Sequence, residues 1–584
     1  MWKPVKGNIM TKWAEEIDID NVLPEYPRPQ MVRGEWLNLN GLWDYAIRKM
    51  GKAEFSKYDG KILVPFPLES ALSGVKKPLK PEETLWYRRT FTIPSDWQGQ
   101  RILLHFGAVD WKTNVWVNGQ HVGEHTGGYY PFTFEISEYL GDENNEIVVS
   151  VWDPTDSCGQ ERGKQALSPG GIFYTAVSGI WQTVWLEPGP KVYIKSHRLT
   201  PDLDNEKVSI SIEIDGANKG LLYEATVSEG NNIVTSGRSR IDATLELKVP
   251  KPKLWRPDFP FLYDIKIELI NGETVIDRIG SYFGMRKYSI GRDRQGIKRL
   301  FVNNRPLFQN GILDQGYWPD GLYTAPTDEA LKFDLELIKK LGFNMTRKHV
   351  KIEPARWYYH CDRLGLIVWQ DMISGGKNVN ILLNGIIPMF ASQVRISDKN
   401  CQKVGRQAKS NRENFKKELK GMIDALYNFP CIGMWVPFNE GWGQFEGEKI
   451  AGWVKEHDNT RWVDHASGWH DQGAGDLKSV HIYFKKLKMP KGINNRAVAI
   501  SEYGGYSRSI EGHVWKKNKA FGYKNFKRQA DFQRAYVALM KEQVEPLIQK
   551  GLSAVVYTQL TDVETEVNGL VTYDRKVLKL DFQF

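Results

Sequence analysis

MWVPFNEGWGQ, residues 434–444, is the stretch that decides the fold. Met434, Trp435, Val436 and Phe438, broken by Pro437, form an apolar run that stops on Asn439 and Glu440, with Gly441 and Gly443 on either side of Trp442. A buried strand that ends on an amide and a carboxylic acid, with glycines to turn the chain away, suits the C-terminal face of a parallel barrel, where strand ends carry catalytic groups. AISEYGG (499–505) repeats the arrangement around Glu502.

Working outward, the same apolar rhythm recurs eight times from residue 290 onward. FQNG (308–311), FNMTRKH (343–349), LIVWQD (366–371), CIGMWV (431–436), RWVDH (461–465), SVHIY (479–483), AVAISEY (497–503) and SAVVYTQ (553–559) read as short buried strands. Helices separate several of them. Thr327 is placed to cap one that carries Leu331, Leu335 and Ile338 and stops at Gly342. Others are predicted over 355–364, over the segment bearing Phe415, Leu419, Met422, Ile423 and Leu426, and over 529–549. The pattern predicts a (β/α)8 barrel over 290–584. Two irregularities stand out: a long insertion at 372–410, and a tail, KVLKLDFQF, too short for a full eighth helix.

The preceding residues read as β-structure. In VWVNGQHVGEH (115–125) apolar alternation surrounds Asn118-Gly119, a strong short hairpin signal. EIVVSVW (146–152) and IWQTVWLEP (180–188) add strands, so residues 1–190 are expected to form a β-sandwich of jelly-roll type. VSISIEI (208–214), TLELKVP (244–250) and FLYDIKIELI (261–270) predict an immunoglobulin-like β-sandwich over 191–289.

Composition narrows the function classes. The 584 residues are 41% hydrophobic and 26% charged, enough to bury several cores. The net charge of +9 is spread along the chain among 70 acids and accompanies no nucleic-acid motif, so no nucleic-acid partner is expected. No 18-residue apolar run calls for a membrane span. Cys158, Cys361, Cys401 and Cys431 lack metal-ligand spacing and suit free thiols. The N-terminal stretch lacks an apolar signal core, which points to the cytoplasm unless a leader has been removed. Aromatic residues reach 12%, with 21 Trp; such rings build cores and also stack on flat ligand faces. Two carboxylic acids at barrel strand ends, Glu440 and Glu502, are what glycoside hydrolysis requires: one must hold its proton for the leaving oxygen, and the other must be ionised.

RPQMVRGEWLNLNGLWDY (28–45), LWYRRTFTIP (85–94), SGIWQTVWLE (178–187), LWRPDFPFLYDIKIEL (254–269), NFPCIGMWVPFNEGWG and ISEYGG together resemble glycoside hydrolase family 2, in the right order and over essentially the whole chain. The resemblance implies a retaining exo-β-glycosidase acting on terminal sugars through a covalent intermediate. It casts Glu440 as acid/base, Glu502 as nucleophile, Asn439 as a partner of the sugar 2-hydroxyl and Tyr483 as a contact of the nucleophile. His349, Asp371 and His481 are expected sugar contacts, and Trp318 and Trp442 are expected stacking walls. No metal or other cofactor is expected, the partner is a carbohydrate, and a homo-oligomer is left open.

Substrate choice is the least determined. The family's frequent Asn-His-Pro is Asn428-Phe429-Pro430 here, and IFYTAV (172–177) carries no acid where relatives place a sugar-contacting one. The Asn-x-Lys pair of the glucuronidases is replaced by Glu566-Val567-Asn568-Gly569. The run HVWKKNKAFGYKNFKR (513–528) is strongly basic, which fits either a solvated loop or an acidic-sugar contact. The expectation is a β-galactosidase. The alternatives are a glucuronidase-, galacturonidase- or mannosidase-type enzyme of the same family, or an inactive carbohydrate-binding relative.

Overall fold

Asn118 (φ 50°) and Gly119 (φ 78°) form a two-residue turn between Lys112–Val117 and Gln120–Thr126, the pair of positive φ angles that a right-twisted hairpin demands. In the computed structural model this hairpin edges a six-stranded sheet, which shares one core with a four-stranded sheet. All residues are described except 1, 52–56, 218–219, 378–386, 391–394, 494, 518 and 582–584. Alternation along Lys207–Asp215 buries Val208 and Ile210 in a second sandwich, of three and four strands.

The third unit is a barrel of eight parallel strands: β1 (Gln309–Asp314), β2 (Met345–Lys348), β3 (Ile367–Asp371), β4 (Ile432–Val436), β5 (Trp462–Val463), β6 (Leu477–Ile482), β7 (Ala497–Gly504) and β8 (Leu552–Thr558). Their order, β5-β4-β3-β2-β1-β8-β7-β6, is a ring hydrogen-bonded everywhere but between β5 and β6. All eight fall on the predicted segments. Thr327 caps α1 (Asp328–Lys340), its hydroxyl accepting from the Ala330 N–H at 3.1 Å, and Leu331, Leu335 and Ile338 are buried beneath it. α2 (Ala355–Leu364), α3 (Lys409–Leu426) and α4 (Gly447–His457) follow. The helix expected over 529–549 is divided into α5 (Gln529–Ala538), a π-helical stretch (Leu539–Val544) and α6 (Glu545–Gln549). Pro546, near the start of α6, has no N–H to give the preceding turn, and the wider π turn accommodates its ring. No helix follows β8 among the described residues.

Aromatic side chains weld the three units. Trp13, Tyr174 and Trp181 of the first domain, and Trp255 and Tyr282 of the second, belong to the barrel's own core cluster. Asp362 of α2 is the polar junction. Its carbonyl accepts from Trp255 Nε1 at 2.8 Å, while its carboxyl accepts from the Tyr282 hydroxyl at 2.8 Å and the Cys431 N–H at 2.7 Å. Burial pushes that carboxyl up to about 7 against these donors. The four cysteines are free thiols. No helix among the described residues is long and apolar enough to cross a membrane.

Trp255→Ala should therefore remove a wholly buried indole and its hydrogen bond, weakening the junction of second domain and barrel by about 3–5 kcal/mol. Thermal unfolding checks this: the first midpoint should fall, and an unchanged midpoint would mean the junction opens after the step being measured.

Candidate active site

Strand β2 alternates, and its register builds the site. Thr346 and Lys348 turn outward, the lysine over the ring of Trp357 in α2. Arg347 turns inward, with His349 two residues on. The buried Arg347 guanidinium grips Asp371 at the end of β3 through Nε (2.9 Å) and Nη2 (3.0 Å). It also donates to Asn439 Oδ1 at 2.7 Å, to the Ser501 carbonyl at 3.1 Å and to Glu502 Oε1 at 3.1 Å. His349 Nδ1 lies 2.8 Å from the second oxygen of Asp371. Burial lowers the pKa of this imidazole, with the Asp371 contact opposing it.

Glu502 and Glu440 occupy unlike places. Glu502 is buried; Tyr483 donates to its Oε2 at 2.6 Å, and Thr558 Oγ1 lies 3.0 Å from the same phenol. Burial opposes ionisation of Glu502, but His481, Arg347 and His349, with the Tyr483 hydrogen bond, outweigh it and hold the carboxyl at about 2. Of these, Arg347 carries its charge at every working pH. The Tyr483 phenol is raised well above 10, first by burial and then by the Glu502 charge, so it remains a donor. The Glu440 side chain is 22% exposed, open to water on one side. Its Oε1 meets His481 Nδ1 at 2.8 Å, and His481 Nε2 lies 3.5 Å from Glu502. One carboxylate oxygen of each glutamate and a His481 nitrogen all fall within 4.8 Å of one another.

The glycines after Glu440 are required by space. A Cβ on Gly441 (φ 70°) would sit 2.1 Å from the His470 ring, and one on Gly443 (φ 63°) would sit 2.3 Å from the Gly375 carbonyl. Glu440 itself has φ 52°, a strained value for a non-glycine residue, held by its N–H to the Ser467 carbonyl at 2.8 Å. The Glu440–His481–Glu502 trio is also the set of described acids and histidines that converges enough to hold a cation. A cation there would fill the space between the two carboxylates.

The structure brings Glu440, Glu502, Asn439, Tyr483, His481, His349 and Asp371 into one network. Two expectations need correction. Asp371 is 0% exposed with both oxygens engaged by Arg347 and His349, so it orients those side chains and presents nothing to a sugar. Trp318 is 2% exposed, with the Arg575 guanidinium 3.9 Å from its ring centre and Trp13 edge-on, and a ring so covered offers no stacking face. Trp442 is half-buried, edge-on to Phe173 of the first domain and beneath Arg162.

Sequence reasoning missed Arg347, Tyr523 and Phe173. The signal for Arg347 was its spacing of two from His349, once the strand face is known. Tyr523 lies in the basic run, whose lysines 516, 517, 519, 524 and 527 are exposed while its tyrosine stacks on Tyr483 at 4.0 Å and 5°. That run is pinned rather than free: Phe521 exchanges backbone hydrogen bonds with Thr565 (2.7 Å) and Val567 (2.9 Å). In the 372–410 insertion, residues 378–386 and 391–394 lie outside the described residues. Arg406 from the same insertion is buried between the Gly443 carbonyl (3.0 Å) and Glu161 of the first domain.

Comparison with known proteins places these units. Residues 23–190 match the family model for "Glycosyl hydrolases family 2, sugar binding domain", 192–286 that for "Glycosyl hydrolases family 2", and 295–579 that for "Glycosyl hydrolases family 2, TIM barrel domain". A β-galactosidase of Thermoanaerobacter pseudethanolicus is 28% identical over 369 residues, covering 61% of this chain and 44% of the relative. One from Pectobacterium atrosepticum is 27% identical, covering 77% and 42%. The chain thus spans about two fifths of the length of the curated relatives it matches. The β-D-glucuronidase structure of Dictyoglomus thermophilum superposes with a TM-score of 0.72 at 18% identity over 94% of this chain and 96% of that one, a likeness of fold.

Arg347→Met should cost about 3–5 kcal/mol, because Asp371 and Glu502 would be left buried without their cation. Glu502 has a depressed pKa, so its share of stability is complete above pH 4.5 and lost as the pH falls toward 2. Melting at pH 7 and pH 4 checks this: the deficit of the variant should be larger at pH 7.

Proposed function

This chain belongs to glycoside hydrolase family 2, and on that premise we infer that it is a retaining exo-β-glycosidase. One observation carries the reading. Carboxylate oxygens of Glu440 and Glu502 approach within 4.8 Å, close to the separation of about 5 Å that direct attack on the anomeric carbon needs and short of the roughly 6.5–9.5 Å that leaves room for a water in inverting enzymes.

Glu502, ionised and aimed by Arg347 and Tyr483, attacks the anomeric carbon as Glu440 passes its proton to the departing glycosidic oxygen. Glu440, on the water-exposed side, then takes a proton from the incoming water, which releases the sugar from Glu502. Asn439 Oδ1 accepts from Arg347, which fixes the amide and leaves Nδ2 to donate to a sugar hydroxyl. Trp442 and Phe173 supply an aromatic edge to the cleft.

A terminal β-galactoside is one candidate sugar, in line with the names of two relatives. A β-hexuronide is the other, favoured by one unpaired lysine described below.

The test is hydrolysis of nitrophenyl β-galactoside, β-glucuronide, β-galacturonide, β-mannoside and β-glucoside. Glu502→Gln should reduce the rate on the preferred substrate by at least about 10⁴-fold. Proton NMR should show the β-anomer formed first; an α-anomer would replace this mechanism with an inverting one. Tyr483→Phe removes a donor to the ionised nucleophile. The acid limb of kcat/KM, low in the wild type because Glu502 sits near 2, should move up by about one pH unit.

A further inference from the structure

Four lysines are buried among the described residues: Lys164, Lys348, Lys351 and Lys579. Acids answer three of them. Lys348 meets Asp314 at 2.6 Å and Glu353 at 2.7 Å, Lys351 meets Glu353 at 2.9 Å, and Lys579 meets Asp562 at 2.6 Å. Lys164 is 7% exposed and, among the described residues, its ammonium has neither an ion pair nor a hydrogen bond. Its stem is buried, but its ammonium is not among the sealed polar atoms and keeps contact with water, where no acid among the described residues meets it. A cation held at the end of a buried stem and left open to solvent is placed to receive an anion from outside the chain.

Its position says where that charge would arrive. Residues 161–166 of the first domain lie along the barrel's mouth, with the N–H groups of Arg162 and Gly163 on the Ser374 carbonyl at 3.0 and 2.9 Å. The Gln165 side chain turns back into its own domain, onto Asp110 and Tyr129, each at 2.8 Å. Gly163 (φ 62°) turns the chain between Arg162 and Lys164. The Arg162 guanidinium lies 5.3 Å from the ring centre of Trp442, two residues past Glu440. The Lys164 carbonyl is held by the Tyr174 N–H at 2.9 Å, and the Tyr174 phenol donates to Glu566 just beyond β8. The lysine therefore stands between the Trp442 edge and the Glu566 edge of the catalytic cleft. Its charge is felt at both His349 and Glu566, lowering the pKa of each. Glu566 does not neutralise it: one oxygen takes the Tyr174 phenol, the other takes Asn568 Nδ2 at 3.0 Å, and burial raises its pKa toward the neutral acid.

We propose that Lys164 receives a carboxylate carried by the bound sugar, so that the terminal residue of the substrate is a hexuronic acid. The proposal rests on the glycosidase reading for turnover, and on Lys164 alone for recognition. A single cation suits a single carboxylate, and a hexuronide differs from its neutral counterpart only in the oxidation state of C6.

Two measurements separate the failures. In the first, kcat/KM is compared for nitrophenyl β-galacturonide against β-galactoside and β-glucuronide against β-glucoside. A uronide should lead its neutral partner at least tenfold in the wild type. Lys164→Met should cut that ratio roughly 100-fold, and Lys164→Arg should keep most of it. In the second, calorimetry on Glu502→Gln compares D-galacturonate and D-glucuronate with galactose and glucose. A second substitution, Lys164→Met, should weaken uronate binding roughly 100-fold while the melting temperature holds. Equal ratios in wild type and Lys164→Met, or equal uronate binding with and without the lysine, overturn the proposal. A lead for 6-sulfo-β-galactoside over both uronides also overturns it, assigning the anion to a sulfate ester. Inertness toward every glycoside would defeat the glycosidase reading, and the calorimetry would still decide Lys164.

Discussion

A single guanidinium organises the catalytic end of the barrel. Arg347 reaches from β2 to Asp371 on β3, Asn439 after β4, and Ser501 and Glu502 on β7, so four strand ends are registered against one planar group. Only arginine has the fork to do this: a lysine in the same place would be a point charge with three donors and no fixed plane. Wholly buried and permanently charged, it joins His481 in ionising a carboxyl that burial would otherwise keep neutral. A dry interior and a charged Glu502 are compatible because of these neighbours.

The same arrangement explains how two glutamates of identical chemistry diverge. Glu502 sits near the end of β7, where the register against β8 shifts, enclosed and hydrogen-bonded on both oxygens. Glu440 sits four residues past the end of β4 on a strained backbone, with one side open to water and the other against His481. The glycines at 441 and 443 let the chain turn away directly after Glu440. Tyr523, stacked on Tyr483, shows how the loop after β7 folds back onto the phenol that donates to Glu502.

Much of this was legible in the chain. Eight apolar runs, the Thr327 cap, the Asn118-Gly119 turn and the two glutamates after buried runs all follow from local pattern, and local pattern is what short-range physics writes most clearly. Other features depend on register or distance. Arg347 looks like one of three adjacent polar residues until strand direction decides which of them face inward. Asp371 ends a strand as a sugar contact would, yet its partners arrive from another strand and consume it. Trp318 could not be told from a stacking wall, because burial is a property of what packs against it. The π turn before Pro546 needs the helix to be seen whole. Lys164 lies some 280 residues from Glu440 in sequence, and nothing local marks it.

The strip of first domain laid across the barrel's mouth gives the molecule a division of labour. Glu440 and Glu502 belong to the barrel, while Phe173 and Lys164 at its mouth belong to a separate domain tied down through Glu161 and Arg406. Inheritance can act on these two parts separately. Substitutions in the strip change what borders the two glutamates and leave the glutamates untouched, so on the glycosidase reading a lineage can change its diet without reinventing its chemistry.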